Sequence, residues 1–97
     1  MIRNVIGSLT QDIYDGTDSR YSRKLPQTLH RKARRLLDQI NAAARLDTIR
    51  VPPGNRLEKL GGKLDQYWSV RINDQWRIIF KWEASDALNV QIIDYHD

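Results

Sequence analysis

The chain contains no cysteine, which excludes disulfides, thiolate nucleophiles and cysteine-based zinc sites. That absence suits the reducing cytoplasm. Histidine is nearly absent too. His30 and His96 stand alone with no HExxH-type spacing, so neither a metal nor any other cofactor is expected. Long apolar runs are missing, and nothing approaches the roughly 18 residues of a membrane span. The start, Met1-Ile2-Arg3-Asn4-Val5-Ile6-Gly7, lacks the apolar core of a signal peptide. No Walker loop, GxGxxG or GxSxG occurs. The 97 residues, 40% of them apolar and free of repeats or linkers, are expected to form one soluble cytoplasmic domain over 1–97, with no membrane partner.

What the chain does have is positive charge, unevenly placed. The net charge is +4. From Arg20 to Arg45, eight cations (Arg20, Arg23, Lys24, Arg31, Lys32, Arg34, Arg35, Arg45) face one acid, Asp38. From Asn55 onward, six basic residues face seven acidic ones. A concentrated basic block favours polyanions, because binding releases their condensed counterions. The plain alternative is a solvated helix face.

Hydrophobic spacing divides the chain. Ile2, Val5 and Ile6 suggest a short strand over 2–6. Ser8-Leu9-Thr10-Gln11 fits a capping box opening a helix to about Tyr14, before Asp15-Gly16. Pro26 suits the first turn of a second helix. Leu29, Ala33, Leu36, Leu37, Ile40 and Ala44 recur at three- and four-residue spacing as its apolar stripe. Val51-Pro52-Pro53-Gly54-Asn55 must be a loop. Beyond it, 56–60 reads as a strand cut by Gly61-Gly62, which marks a bend. Three alternating runs follow: Trp68-Val70-Ile72, Trp76-Ile78-Phe80-Trp82 and Leu88-Val90-Ile92. Period two with one apolar face indicates half-buried antiparallel strands. Asn73-Asp74, residues tolerant of positive φ, suggests a tight hairpin between the first two. The fold class is therefore α+β: two N-terminal helices on one face of a small, mainly antiparallel sheet.

The same alternation picks out candidate chemistry. Arg71 and Arg77 each sit between core-facing neighbours, so both project from the opposite face, close together if the hairpin closes at Asn73-Asp74. Two guanidiniums on a rigid platform can grip a phosphate and stabilise a phosphorane. Each could instead pair with a surface acid such as Asp65 or Glu83. Strand parity carries Asp94 and His96 towards the core face, unless a bulge, twist or sheet edge redirects them. A chain-terminal histidine is most often a solvated tail. Imidazole titrates near neutrality and can move a proton at a 2′-hydroxyl or leaving oxygen. Tyr67 and Tyr95 offer stacking surfaces for bases, or simply pack.

Together the Met-Ile-Arg start, two helices, Tyr67-Trp68-Ser69-Val70, Asn73-Asp74-Gln75-Trp76-Arg77-Ile78 and Asp94-Tyr95-His96 resemble the HigB-type toxins of the RelE/ParE superfamily. The resemblance spans nearly the whole chain. It implies a RelE-like fold and a type II toxin that cleaves mRNA in the A site of the 70S ribosome. It also implies a helix-turn-helix, HigA-like antitoxin as partner. It places His96 and Arg77 at the scissile phosphate, with in-line attack by the 2′-hydroxyl and no metal. The RNA-contacting positions it suggests are Lys59, Lys63, Asn73, Tyr95, Arg31, Arg34 and Arg35, the basic block meeting ribosomal RNA.

The chain departs from the pattern in places. Several relatives carry Leu-Lys-Gly where this chain has Leu60-Gly61-Gly62; Lys59 and Lys63 are the candidate replacement cations, neither of them in register. Some relatives have a second Arg where this chain has Asn73, and Arg71 is the substitute. Asp97 follows His96 and would favour a protonated imidazole, implying slower toxicity. Two other functions fit the architecture: a ParE-like gyrase poison that needs no histidine, and a basic RNA-binding module without catalysis.

Overall fold

In a computed structural model, which describes residues 1–95, the chain forms two α-helices and a four-stranded sheet. Helix α1 spans Ser8–Asp15 and helix α2 spans His30–Ala42. Strands β1 (Glu58–Lys59), β2 (Trp68–Arg71), β3 (Trp76–Glu83) and β4 (Asp86–Asp94) pair antiparallel in the order β1-β2-β3-β4. Both helices lie on one face, as the apolar pattern requires. Ile13, Leu36, Leu37 and Ile40 form one core with Val70, Ile72, Ile78, Phe80, Val90 and Ile92.

The helix boundaries differ from those read in the sequence. No capping box forms on α1: Ser8 is its first helical residue and makes no cap bond. The Gln11 amide donates to Asp15 instead. The cap position falls on Gly7, at φ 84, a conformation glycine adopts and serine resists. At the other end Gly16 takes the left-handed conformation, and the Thr17 amide closes onto the Asp12 carbonyl at 2.8 Å. Pro26 precedes a 3₁₀ turn, Gln27–Leu29, so α2 starts only at His30. Because the chain turns extended at Ala43, that residue is buried where the helical stripe had pointed to Ala44.

The expected strand over 2–6 appears as two parallel bridges to β4, Ile2 with Ala87 and Val5 with Val90. A β-bulge explains the interruption. Asn89 sits at φ 53, and the β3–β4 register shifts between Ile79 and Lys81. The Asn4 carboxamide fills the gap, accepting from the Asn89 amide at 2.9 Å and donating to its side chain. The extra residue also changes which side chains face inward. Ala87, Val90 and Ile92 are core, and Leu88 moves to the far face, opposite Lys81. Thr10 ties α1 to this strand, its hydroxyl accepting from the Ile92 amide at 2.9 Å.

The β2–β3 turn is wider than a two-residue hairpin. Neither Asn73 nor Asp74 has positive φ. The Asn73 carboxamide oxygen instead accepts from the Gln75 and Trp76 amides at 2.9 and 2.7 Å, while the Ile72 amide donates to the Trp76 carbonyl.

Candidate phosphate-binding cleft

The turn sets a register that pairs Arg71 directly with Arg77, on the sheet face away from the helices. Arg77 is the more enclosed, its side chain 12% exposed against 28% for Arg71. Its guanidinium is poorly matched for so enclosed a charge. Nη1 donates to the Ser69 hydroxyl at 3.3 Å and lies 3.9 Å from the Glu58 carboxylate, and Nε is buried with no hydrogen-bond partner. The Tyr95 ring lies 5.4 Å from the guanidinium carbon. Arg71 donates to Asp74, and this contact holds the exposed Asp74 carboxyl below the usual carboxylate range.

Arg56, Glu58, Arg71, Asp74, Arg77 and Tyr95 together line an open cleft of about 460 Å³. Glu58 is shared, its other oxygen 3.8 Å from Arg56 Nε. Three guanidiniums converge on two carboxylates, and an anionic ligand meets a surplus of donors. The acids that pair with the arginines are Asp74 and Glu58, rather than Asp65 or Glu83. Arg56 and Glu58 were not singled out in the sequence. Arg56 reaches the cleft from a left-handed backbone at φ 49, and Glu58 from a strand of two residues opposite Ser69.

The other suggested RNA contacts do not gather here. Lys59 pairs with Trp68, its ammonium 5.1 Å from that ring, on the opposite side of β1 from Glu58. Lys63 lies in a separate 3₁₀ turn, Gly62–Leu64. The Asn73 side-chain oxygen is committed to the turn backbone. Arg31, Arg34 and Arg35 line a separate depression with Asp38 on α2. Partial burial lowers the pKa of Lys32, with smaller contributions from Arg71 and Arg35. His30 is buried, with Nε2 2.8 Å from the Leu25 carbonyl, a structural contact. His96 and Asp97 lie outside the described residues. Up to residue 95 the strand end is held to the β2–β3 turn: the Tyr95 amide donates to the Gln75 carbonyl at 2.7 Å and Gln75 donates to Asp94. Among the described residues no three His, Asp or Glu side chains cluster as a metal site, and no helix is long and apolar enough to cross a membrane.

Two helices on one face of an antiparallel sheet, with an arginine cleft on the other, define a RelE-like toxin fold. The crystal structure of YafQ from E. coli BL21(DE3) shares that fold, with a TM-score of 0.57 at 16% identity over 97% of this chain and 91% of YafQ. The chain belongs to the HigB-like toxin family, the RelE-like toxins of the HigB type II toxin-antitoxin system, whose profile it matches over residues 9–96. It is 37% identical to Toxin HigB-1 of Vibrio cholerae over 75 residues, 77% of this chain and 79% of that toxin. It is 36% identical to an uncharacterised protein of Haemophilus influenzae over 69 residues, 71% and 68% of the two chains. Membership in a type II system implies an antitoxin partner.

Proposed function

We propose that this toxin is a metal-independent endoribonuclease that cuts mRNA on the ribosome, and that a helix-turn-helix antitoxin holds it inactive. One observation supports this reading above the others. Arg77 is an enclosed guanidinium with an orphaned Nε and only long contacts, set beside Arg71 and Tyr95 in an open cleft. An unsatisfied buried donor costs roughly 1–3 kcal/mol. An arriving phosphate offers the guanidinium stronger, charge-assisted partners than the 3.3 and 3.9 Å contacts Nη1 now makes.

In the proposed step the 2′-hydroxyl oxygen attacks the adjacent phosphorus as the bond to the 5′ oxygen breaks. The products are a 2′,3′-cyclic phosphate and a 5′-hydroxyl end. Arg77 and Arg71 stabilise the charge that builds on the non-bridging oxygens. His96 moves a proton at the attacking or leaving oxygen. Tyr95 supplies a face on which a neighbouring base stacks.

Mapping mRNA 5′ ends after induction tests the reading. New ends inside translated codons are expected, and they should be missing from a reporter mRNA whose start codon has been removed. Growth arrest with an unchanged 5′-end profile contradicts it, and DNA breaks in its place would point to gyrase.

A further inference from the structure

The face that carries Arg77 has a second group of the same build. Along β3, Arg77, Ile79 and Lys81 share that face, and the bulge lies on β4, so β3 itself stays regular. Arg77 lies 5.4 Å from the Tyr95 ring, and Lys81 Nζ lies 5.4 Å from the Tyr67 ring. Four residues of strand separate the two cations by roughly 13 Å, a nucleotide or two of extended chain. Ser69 and Ile79 lie buried between them.

The two ends differ in their electrostatics. Arg77 has Glu58 nearby, whereas Lys81 makes no ion pair among the described residues. Lys81 lines a shallow depression with Lys59, Gln66, Trp82, Glu83 and Leu88. Leu88 reaches that face only because of the Asn89 bulge. The result is a cation, an aromatic ring and an apolar side chain on an accessible surface. Single-stranded RNA is bound by such a combination without sequence readout, the cation taking phosphate and the ring taking a base.

We infer that Lys81 and Tyr67 form a second RNA-contact site, which holds the strand a nucleotide or two away from the phosphate at Arg77. This deepens the nuclease reading and rests on it, since the strand's direction is set by Arg77. Lys81 makes no contact with the reacting atoms. It is a positioning residue that acts through the path of the chain.

Fluorescence anisotropy with 2′-O-methylated oligoribonucleotides, which cannot be cut, tests the site on the intact protein. A dinucleotide engages the Arg77 end alone, and an octanucleotide reaches both. Wild type is expected to bind the octanucleotide about tenfold more tightly. Lys81→Ala should remove that gain, leave dinucleotide binding unchanged and lower the salt slope by about one. Lys81→Arg should restore it, and Tyr67→Leu should lose part of it without changing the salt slope. A Lys81→Ala curve that overlays wild type overturns the proposal, as does a wild type whose affinity ignores length. An effect of Lys81→Ala confined to antitoxin binding also overturns it, by assigning the patch to a protein. The nuclease reading fails separately, through 5′-end mapping, because this binding series involves no cleavage.

Discussion

Arg71 and Arg77 stand opposite one another across β2 and β3, each beside its own acid: Asp74 for Arg71 and Glu58 for Arg77. Two like charges in direct cross-strand register destabilise a sheet unless something compensates. Here the Asp74 and Glu58 carboxylates do so, and the proposed function has a phosphate compete with them for the two guanidiniums.

That arrangement predicts a gain from removing an acid. Asp74→Asn should leave the fold intact, free the Arg71 guanidinium and raise RNA affinity a few-fold at low salt. Anisotropy with a short oligoribonucleotide checks it. Unchanged or weaker binding would show that Arg71 has no part in holding the strand.

The turn that sets the register is held by Asn73, whose oxygen accepts two backbone amides. Asn73→Ala should lower unfolding free energy by about 1–2 kcal/mol, measured from the urea midpoint. It should also slow cleavage, because the spacing of Arg71 and Arg77 depends on that turn. A stable variant with full activity would mean the register is set elsewhere.

The pH dependence of stability follows from Asp86. A hydrogen bond from Arg3 holds its carboxyl below the ordinary value, helped by the N-terminal ammonium. A carboxyl whose pKa is lower folded than unfolded contributes stability above its unfolded pKa, and that contribution is lost as pH falls through the folded value. Wild type should therefore weaken as pH drops below the usual carboxylate range, and Asp86→Asn should show a shallower decline. Parallel denaturation curves for the two proteins at acidic pH would contradict this.

The bulge at Asn89 can be tested by size. Ala87 is fully buried, so Ala87→Leu should overpack the core and cost roughly 1–3 kcal/mol or more. Leu88→Ser should cost under about 1 kcal/mol, as a surface change. The reverse ranking would restore the regular alternation.

These residues also show where sequence reading works. The α2 stripe and the shared face of Arg71 and Arg77 were legible, because each depends on local periodicity alone. Leu88 was misplaced because the bulge is matched to the Asn4 side chain, a partner distant in sequence. Ser8 was misread as a cap because the turn into α1 needs a positive φ that only Gly7 supplies readily. Arg56 and Glu58 were missed because a left-handed residue and a two-residue strand leave no periodic signal. The α2 arginines were legible as a charged face, but periodicity could not show that they lie apart from the cleft.

The central claim is that Arg77 and His96 cut RNA. Single-turnover cleavage of a defined mRNA on purified ribosomes by wild type, Arg77→Ala, Arg77→Lys and His96→Gln tests it most directly. Arg77→Ala should slow the step by about 10²–10³. Lysine should not restore it, lacking the planar fork. His96→Gln should abolish growth arrest along with cleavage. Wild-type cleavage by Arg77→Ala, or full toxicity of His96→Gln, would contradict the account.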